Sequence, residues 1–582
     1  MALLVTGRGP DESLGEVLRA RIDATINRFR DENVVERIWN RDPDLWKPLD
    51  PDRAAVIRNR LGWLTGVDAM DAAELELTSF AEEVQADGYT DAVLLGMGGS
   101  SLAAEVFAET FGVAEGFLRL HVLDTTDPVS ITHLRERLDF GKTLFIVSSK
   151  SGTTIETTSL FRSFWNEVKA VLGDDKAGAH FVIITDPGTP LETVARERDL
   201  RRLFTNPADI GGRYSALSYF GLVPAALLGV DLSTLLDRAL GMVNSTRDED
   251  PYVDDSPLWL GAVLGEAARM GRNKLTLILP PAIESFGYWV EQLIAESTGK
   301  EGRGMLPVEG ESLATPAARA RAQLPYGTDR LFVHFHVGDA ADADLDAQVE
   351  ALADAGEPVV RLWLKDAYDL GAEMWRWEFA TAVAGIALGV NPFDEPNVAE
   401  SKRNTGRLLE VFKRDGTLPG GPPSFEADGV AGFGPAGALS LVEVLRRFFD
   451  GLKPTDYLAI MAYVERTPEA QAALDEIRRA VRAHYGVATT SGYGPRFLHS
   501  TGQFHKGGPP SGHFLQITAE PALDLPIPGE VYTFGTLIRA QALGDLEALA
   551  RRNYPVLRLH VTGDVGRGLQ TIAQAARQAA GE

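Results

Sequence analysis

The fold is decided by Thr143-Leu-Phe-Ile-Val-Ser-Ser149-Lys150-Ser151-Gly152-Thr153-Thr154-Ile-Glu156-Thr157. Its apolar run, residues 144–147, is too short for a buried helix and is bounded by small polar residues, so it predicts a buried parallel strand. Hydroxyl side chains and a glycine follow, and residues 154–168 predict the next helix. The first turn of a helix leaves backbone N–H groups unpaired, and the helix dipole favours negative charge there. The stretch therefore predicts an anion site, although a capped helix with an ST-turn would use the same residues.

The same strand–helix rhythm extends on both sides of this stretch. Strands are predicted at residues 92–96, 120–124 and 181–186, and a helix at 102–111. After an acidic link at 248–251 the rhythm restarts, with strands at 274–279, 330–336 and 359–364 and with helices at 286–297 and 375–388. Alternating strands and helices with polar strand ends predict α/β folding, in two doubly wound parallel sheets whose ligands lie at the carboxyl ends of the strands.

The two ends of the chain differ from this rhythm. Residues 414–434 are rich in Gly and Pro and predict a loop or linker, and the remainder predicts a less regular α/β segment with a glycine-rich loop at 502–512. We therefore predict a helical arm at 1–48, a first sheet domain at 49–245, a second at 246–413 and a C-terminal α/β segment at 414–582. The arm is predicted from apolar residues at helical spacing, namely Leu14, Val17, Leu18, Ile22, Ile26 and Phe29.

Composition limits the classes of function. A chain of 582 residues exceeds one ordinary core, and 45% hydrophobic with 24% charged residues is typical of a soluble globular protein. A net charge of −25 argues against nucleic acid or an anionic membrane as partner, but not against a small anionic substrate. The absence of cysteine excludes disulfides and thiolate chemistry. We find neither a signal peptide nor a run of the roughly 20 apolar residues that a membrane span requires, so we expect a cytoplasmic enzyme or binding protein.

Two glycine-containing turns could bring backbone or charge to a ligand. The first, Gly96-Met-Gly98-Gly99-Ser100-Ser101, follows a strand and opens a helix, although such turns are also common structural features. The second, Asp209-Ile-Gly211-Gly212-Arg213-Tyr-Ser215, sets a guanidinium beside two glycines. Arg213 could stabilise a developing oxyanion or simply pair with a carboxylate.

Two further stretches carry a carboxylate and an amine. In Gln292-Leu-Ile-Ala-Glu296-Ser-Thr-Gly299-Lys300, Gln292 and Glu296 share one helix face. In Gly389-Val-Asn391-Pro392-Phe393-Asp394-Glu-Pro-Asn-Val398-Ala-Glu400-Ser-Lys402, a turn leads into a helix that carries Lys402. Taken alone, Glu296 and Lys402 would most simply be solvated side chains.

Together, the five stretches occur in the order seen in phosphoglucose isomerases, and the chain resembles that family over about residues 50–410. The family is built from two sugar-isomerase (SIS) domains. The likeness is greatest to the isomerase half of bacterial transaldolase/phosphoglucose isomerase fusions, whose C-terminal region also carries a Leu-His-Ser-Thr-Gly-Gln stretch. The transaldolase half, a (β/α)8 barrel, has no room in this chain beside two sheet domains.

The resemblance implies a role for each matching residue. Glu296 would be the catalytic base, Arg213 would stabilise the enediolate, Lys402 would assist ring opening and Gln292 would contact the substrate. Gly99 and Ser100 would line the sugar. The 6-phosphate would be held by Ser149, Lys150, Ser151, Thr153 and Thr154.

One departure concerns the family's catalytic histidine, which normally lies between the Glu and the Lys in a Thr-Asn-Gly-Gln-His context. Here a similar string, Ser500-Thr501-Gly502-Gln503-Phe504-His505-Lys506, occurs far beyond Lys402. We favour His505 because it follows the Gly-Gln pair, with His499 as the reserve; the loop could also merely pack the C-terminal segment. In the family this histidine comes from the neighbouring subunit, so the resemblance also implies a homodimer.

The chemistry agrees with these roles. Moving a proton between C1 and C2 of an open-chain sugar phosphate needs one carboxylate that reaches both carbons and a fixed positive charge near the enediolate oxygens. We expect no cofactor and no metal, since His334 and His336 more plausibly form a satisfied core pair than a ligand set. We predict an isomerase of glucose 6-phosphate and fructose 6-phosphate. The alternatives are an isomerase of mannose, heptose or amino-sugar phosphates, and a non-catalytic SIS-domain sensor.

Overall fold

The structure, a computed structural model, describes residues 13–47, 50–314, 326–338, 342–433 and 440–581. Within these ranges, no helix has both the length and the apolar character needed to cross a lipid bilayer. The helices of the first part of the chain are α1 (Glu16–Asp31), α2 (Val34–Trp39), α3 (Pro51–Arg58), α4 (Gly66–Ala86), α5 (Leu102–Phe111), α6 (Pro128–Arg135), α7 (Ile155–Leu172), α8 (Asp174–Ala177), α9 (Pro190–Glu197), α10 (Tyr219–Leu228) and α11 (Leu232–Asp248). The remaining helices are α12 (Pro257–Arg269), α13 (Phe286–Thr298), α14 (Ala343–Asp354), α15 (Leu370–Leu388), α16 (Pro396–Asp415), α17 (Leu441–Phe449), α18 (Pro468–Tyr485), α19 (Gly502–Gly507), α20 (Phe534–Ala550) and α21 (Val565–Ala579).

The first sheet is wholly parallel and has the strand order β2-β1-β3-β4-β5. The chain moves outward from β1 to β2 and then returns to β3 on the other side of β1. This reversal opens a crevice beyond the carboxyl ends of β1 and β3, which is where ligands bind in sheets of this kind. The strands are β1 (Asp91–Leu95), β2 (Arg119–Leu123), β3 (Thr143–Ser148), β4 (Phe181–Thr185) and β5 (Arg202–Thr205).

The second sheet is also wholly parallel, with the order β7-β6-β8-β9. Helix α13 follows β6 and carries Glu296 in its last turn. The prediction of an α/β fold with parallel sheets is therefore confirmed. The strands are β6 (Lys274–Ile278), β7 (Leu306–Val308), β8 (Arg330–Val337) and β9 (Val359–Leu364).

The C-terminal segment is more regular than its sequence suggested, because it forms a third sheet with a hydrophobic core of its own. The strand order is β10-β11-β15-β14-β12-β13, with β10 and β11 antiparallel and the other four strands parallel to one another. These strands are β10 (Phe425–Ala427), β11 (Val430–Phe433), β12 (Tyr457–Tyr463), β13 (Ala488–Tyr493), β14 (Gly512–Ala519) and β15 (Val556–Val561).

The hairpin of β10 and β11 corrects the prediction that residues 414–434 form only a loop. Its turn is Asp428-Gly429, and both residues have positive φ, 53° and 77°. Two consecutive positive φ values match the twist of a tight hairpin, which is why Asp-Gly is a strong hairpin signal. These strands of three and four residues have too few alternating apolar and polar positions to be recognised in a glycine-rich sequence. Residues 434–439 lie outside the described residues.

The predicted N-terminal arm contains helix α1, which packs against α12. Leu18, Ile22 and Phe29 are buried in the main core, as their spacing predicted. Val17 was wrongly included, since its side chain is 67% exposed. It stands one residue away from the buried stripe and therefore points away from α12. Residues 1–12 of the predicted arm lie outside the described residues.

Candidate active site

A cleft of about 490 Å³ lies where the loops of the first two sheets meet the C-terminal part of the chain. Its walls come from the loops after β1, β3 and β4, from the last turn of α13, from the first turns of α16 and from the turn before α19. The predicted site residues that line it are Gly99, Ser100, Lys150, Ser151, Thr154, Arg213, Gln292, Glu296, Lys402 and His499. The tertiary structure thus brings together side chains that are dispersed over about 400 positions of sequence.

The loop after β3 leads into the uncapped N-terminus of α7. Thr154 is the residue before the helix, and its side chain makes no capping hydrogen bond to the helix. Its hydroxyl lies 3.0 Å from the Ser149 hydroxyl instead. An ST-turn is present one step earlier, where the Thr153 N–H donates to Ser151 Oγ at 3.3 Å. The first N–H groups of α7 consequently remain available to an anion.

Of the predicted phosphate-binding residues of this loop, Ser149 is buried behind the cleft, Thr153 is exposed outside it, and Lys150 is held by other groups. Ser149 is 1% exposed, and neither it nor Thr153 lines the cleft. The Lys150 ammonium pairs with Asp186 and donates to the Ala208 carbonyl at 3.1 Å. Burial lowers the pKa of Lys150, while its bond to Asp186 opposes that effect.

Glu296 and Arg213 form the charged centre of the cleft. Glu296 Oε1 lies 3.4 Å from Arg213 Nη1, and Gln292 donates to Glu296 Oε2 at 3.1 Å. Both charged side chains are more than nine-tenths buried. Burial raises the pKa of the Glu296 carboxyl above its usual range, although the Arg213 charge acts in the opposite direction. A carboxylate with a raised pKa is better suited to accept a proton from carbon than an ordinary one.

Arg213 is held rigidly by four further groups. Its Nε donates to Ser297 Oγ at 2.7 Å, and its Nη2 donates to the carbonyls of Pro392 and Asp394 at 2.7 and 2.9 Å. Its Nη1 also donates to Glu395 Oε2 at 3.1 Å. Since the loop from 392 to 395 fixes the guanidinium from behind, its charge needs no rearrangement to act on an oxyanion.

Glycines after β1 allow the loops to approach each other. A Cβ on Gly99 would lie 2.0 Å from the carbonyl oxygen of Gly212, so a larger residue would displace the loop that carries Arg213. Gly98 has a φ of 54°, and a Cβ there would lie 2.9 Å from both Gln292 Nε2 and the His499 carbonyl oxygen. The Gly98-Gly99 pair therefore lets the loop after β1 contact the Arg213 loop, Gln292 and the turn that carries His499.

Comparison with known proteins identifies the family. The model of the phosphoglucose isomerase family matches residues 66–308. A glucose-6-phosphate isomerase of Rubrobacter xylanophilus is 31% identical over 365 residues, which cover 56% of this chain and 84% of that relative. The chain belongs to the phosphoglucose isomerase family. A probable glucose-6-phosphate isomerase of Natronomonas pharaonis is 33% identical over 55% of this chain and 79% of that relative.

A solved structure has a similar fold. The crystal structure of a hypothetical protein from Thermus thermophilus aligns with a TM-score of 0.57 and 27% identity. The alignment covers 69% of this chain and 98% of that protein. Nearly all of that protein therefore aligns with part of this phosphoglucose isomerase family member.

The two histidines that the sequence offered for ring opening lie in different surroundings, which favours His499 over the preferred His505. His505 is 4% exposed and does not line the cleft; it packs against the rings of Tyr457 and Phe514. Neither of its ring nitrogens has a hydrogen-bond partner in the described part of the chain, and burial lowers its pKa to about 3. His499 lines the cleft. The short helix α19 turns His505, two residues after Gln503, into the core rather than toward the cleft.

The residues after His499 attach the C-terminal part of the phosphoglucose isomerase chain to the second sheet. Gln503 Oε1 accepts from the Asn397 N–H at the start of α16 at 2.9 Å, and Gln503 Nε2 donates to the Gly299 carbonyl at 2.9 Å. A Cβ on Gly299 would lie 2.4 Å from the Phe504 Cα. Gln503 and Phe504 therefore pack the C-terminal segment against the second sheet, the role considered above for the loop as a whole.

Glu156 is a site residue that sequence reasoning missed. Its Oε1 lies 3.1 Å from His499 Nε2 and accepts from Gln541 Nε2 at 2.6 Å. Burial alone would raise the pKa of Glu156, but the charge and hydrogen bond of His499 lower it overall. The available signal was an acidic residue in the first turn of the helix after the phosphate loop. It was ambiguous because carboxylates are common at that position for reasons of helix stability.

Lys402 is exposed on the second turn of α16 and lines the cleft. Its positive charge acts to lower the pKa values of Glu156 and Glu296. For both carboxyls the largest single effect is burial, which acts to raise the pKa. Of the two histidines considered as a metal pair, His334 is buried, with a pKa that burial lowers to about 4. The described residues contain no group of three or more His, Asp and Glu side chains arranged to hold a metal ion.

Proposed function

We propose that this protein is an aldose–ketose isomerase that interconverts glucose 6-phosphate and fructose 6-phosphate through a cis-enediolate. The observation that carries the proposal is the buried pair of Glu296 and Arg213, 3.4 Å apart. They share one cleft with His499 and with the start of α7. The similarity to the glucose-6-phosphate isomerase of Rubrobacter xylanophilus and the probable one of Natronomonas pharaonis supports this reaction.

The phosphate group of the substrate binds at the loop after β3 in this proposal. The free N–H groups at the start of α7, together with the hydroxyls of Ser151 and Thr154, donate to the phosphate oxygens. The buried Ser149 hydroxyl lies 3.0 Å from that of Thr154, and the exposed Thr153 hydroxyl lies 3.1 Å from that of Ser151, so each can orient its neighbour. Lys150 contributes positive charge, although its ammonium also pairs with Asp186.

Ring opening is assigned to His499. An imidazole is suited to take the O1 hydroxyl proton of the cyclic sugar near neutral pH, while a second group protonates the ring oxygen. Glu156 holds the imidazole by its Nε2 at 3.1 Å and stabilises the imidazolium that forms. Lys402 supplies a cation in the same cleft.

Proton transfer is assigned to Glu296. Its carboxylate removes the proton from C2 of the open-chain glucose form, and the electron pair of the C–H bond enters the enediolate. Arg213 stabilises the charge that develops on the sugar oxygens. Glu296 then returns the proton to C1, so that C1 is reduced and C2 is oxidised within one molecule. The O2 hydroxyl proton passes to O1 in the same interconversion, so the reaction is an internal redox change that consumes no external oxidant or reductant.

The two alternatives differ in the catalytic groups that they require. A non-catalytic sugar-phosphate sensor requires the phosphate loop but no buried base, so the raised pKa of Glu296 favours an enzyme. Isomerases of mannose, heptose or amino-sugar phosphates would use the same groups and differ in the contacts to the sugar hydroxyls. The cytoplasmic location and the absence of nucleic-acid and membrane partners stay predictions from composition.

The position of His499 also changes the argument for a homodimer. That expectation rested on a histidine contributed by a neighbouring subunit, whereas His499 of the same chain lines the cleft here. We therefore propose that a single chain contains a complete set of catalytic side chains, whatever its assembly.

A coupled assay tests the proposed reaction. Purified protein is given fructose 6-phosphate, and formation of glucose 6-phosphate is followed with an excess of glucose-6-phosphate dehydrogenase, with mannose 6-phosphate as the parallel substrate. We expect turnover of fructose 6-phosphate to glucose 6-phosphate. Preferential use of the mannose compound would favour the alternative isomerase, and tight binding without turnover would favour a sensor.

A further inference from the structure

A second cavity, of about 570 Å³, lies away from the cleft and has strongly cationic walls. It is formed by α1, the residue after the short helical turn 43–46, the end of α12, the loop after α13 and the end of α15. It shares no lining residue with the cleft. We call it the cationic pocket and define it by its five basic side chains, which are Arg21, Arg28, Lys47, Arg269 and Arg303.

The charge of this pocket is opposite to that of the whole chain. Among the described residues that line it there is no Asp or Glu, whereas the chain as a whole has 82 acidic and 57 basic residues. A concentration of positive charge in one concave surface raises the local concentration of anions, even on a protein with negative net charge. The five cations are therefore more informative here than they would be on a basic protein.

One buried carboxylate neutralises part of this charge from behind. Glu266 is 1% exposed, and it pairs with Arg21 Nε at 3.0 Å and with Arg269 Nη1 at 2.6 Å. Its Oε1 also accepts from Thr25 Oγ1 at 2.8 Å. Because two guanidinium groups share one carboxylate, this pair retains an excess positive charge.

The other three cations have no carboxylate partner within the described part of the chain. The guanidinium of Arg28 lies 5.0 Å from the centre of the Phe29 ring, and Arg303 Nη1 donates to the Leu388 carbonyl at 2.6 Å. No hydrogen bond or ion pair of the Lys47 ammonium is found among those residues. The charges of these three side chains are thus free to interact with a ligand.

Two of these charges converge on a single glycine. A Cβ built on Gly389 would lie 3.2 Å from Arg303 Nη1 and 3.7 Å from Lys47 Nζ. Lys47 itself has a φ of 49°, a conformation that residues other than glycine adopt at some cost. Arg303 and Lys47 carry like charges, so they repel each other unless an anion lies between them.

Helix stabilisation accounts for only part of the cluster. Arg269 lies in the last turn of α12, and Arg303 bonds the last carbonyl of α15, where cations interact favourably with the helix dipole. Arg28 also lies in the last turn of α1 and Lys47 directly follows the helical turn 43–46, but neither side chain bonds a carbonyl among the described residues. Their presence in the same pocket calls for another source of negative charge.

We propose that the cationic pocket binds a small anion carrying at least two phosphate groups. Guanidinium groups match phosphate oxygens with two parallel hydrogen bonds, and an ammonium adds a compact charge. Gly302 has a φ of 72° and nothing within 4 Å of its Cβ position, so the wall is open to phosphate oxygens there. At least three unneutralised cations exceed what one phosphate monoester, with about two charges, would neutralise.

The position of the pocket makes its ligand additional to the sugar phosphate. Arg303 lies five residues after Thr298, the last residue of the helix that carries Glu296. Gly389 begins the loop whose carbonyls at 392 and 394 hold Arg213. The two sites are therefore joined by short loops without sharing a side chain.

Calorimetric titration of the full-length protein with pyrophosphate tests the proposal. An excess of 6-phosphogluconate first occupies the cleft, and inorganic phosphate serves as the second probe. We expect one further site for pyrophosphate, at least tenfold weaker binding of inorganic phosphate, and an affinity that falls as salt is added. Displacement of pyrophosphate by 6-phosphogluconate, or equal binding of the two probes, would overturn the proposal.

A pair of double variants locates the site. Arg28→Ala with Lys47→Ala should weaken pyrophosphate binding at least tenfold, because each charge-assisted contact contributes a factor of about ten or more. Arg479→Ala with Arg567→Ala removes two exposed cations elsewhere and should leave the affinity unchanged. Equal affinities in the two double variants would also overturn the proposal. Because the readout is binding, failure of this site would leave the proposed isomerase activity untouched.

Discussion

His499 Nε2 lies 3.1 Å from Glu156 Oε1, although the two residues are 343 positions apart. Glu156 belongs to the helix that starts at the phosphate loop, and His499 belongs to the turn before α19. Gln541, from a third element, donates to the same carboxylate oxygen at 2.6 Å and accepts from Thr126 Oγ1 at 2.7 Å. This chain of bonds fixes the imidazole in the cleft and couples the C-terminal part of the protein to the first sheet.

The two candidate histidines should differ sharply. His499→Ala should lower turnover of the cyclic substrate by about 10²-fold or more, the range of a positioned acid–base group, and should affect an analogue that cannot cyclise much less. His505→Phe should retain activity within a few-fold, because the ring nitrogens of His505 have no partners in the core. Comparable losses in both variants, or a loss confined to His505→Phe, would contradict the assignment.

Glu156→Gln preserves the shape of the side chain but removes the charge that stabilises the imidazolium. We expect kcat on the cyclic substrate to fall by about tenfold or more, with a much smaller change on the open analogue. Thr126→Ala, which removes a bond two steps away from His499, is the control and should change kcat little. The ratio of the two substrates' rates is decisive, since general loss of structure would lower both equally.

Glu296→Gln should abolish most of the turnover while sugar-phosphate binding survives. Removal of a general base costs roughly 10²–10⁴-fold. Glu400→Gln, on the outer part of α16, is the matched control and should turn over like the wild type. In the wild type, kcat/KM should fall as the pH decreases and Glu296 becomes protonated. Because burial raises the pKa of Glu296, this fall should begin above the usual Glu range of about 4.3. Turnover of Glu296→Gln within a few-fold of wild type would refute the role.

The phosphate loop can be tested through inhibition. Replacing both Ser149 and Thr154 by Ala should raise the inhibition constants of inorganic phosphate and 6-phosphogluconate at least tenfold, since a hydrogen bond to a charged group contributes roughly 1.5–3 kcal/mol. Thr158→Ala is the control on the same helix, because its hydroxyl donates to the backbone carbonyls of Thr154 and Ile155. Unchanged inhibition constants in the double variant would locate the phosphate elsewhere.

A pair of neighbouring acidic side chains, Glu291 on α13 and Glu309 after β7, should make stability depend on pH. Burial, reinforced by the charge of Glu309, raises the pKa of Glu291 to about 8. The folded protein therefore keeps a proton that the unfolded chain releases near pH 4.3, so stability falls as pH rises between about 4.3 and 8 and levels off above. In urea, Glu291→Gln should gain stability relative to wild type at pH 9. The exposed control Glu301→Gln should show no gain, and an equal loss with pH in Glu291→Gln would contradict the assignment.

The sequence by itself determined the elements that local patterns specify. Apolar runs of four to six residues fixed the parallel strands, and Leu102–Phe111 begins and ends where its pattern predicted. The hydroxyl-rich turn before α7 was enough to predict an anion site, because the free N–H groups of a helix N-terminus are a local property. The order of Arg213, Gln292, Glu296 and Lys402 was enough to suggest the family before any contact was known.

Tertiary structure alone decided which histidine reaches the cleft and what lies behind it. His499 and His505 differ by six positions, yet one lines the cleft and the other is enclosed by Tyr457 and Phe514. Sequence order does not encode this choice, because it depends on how α19 packs against α13 and α16. The pairing of His499 with Glu156 likewise requires a third sheet to fold against the first. Local sequence selects secondary structure, whereas contacts between residues hundreds of positions apart arise from the packing of whole domains.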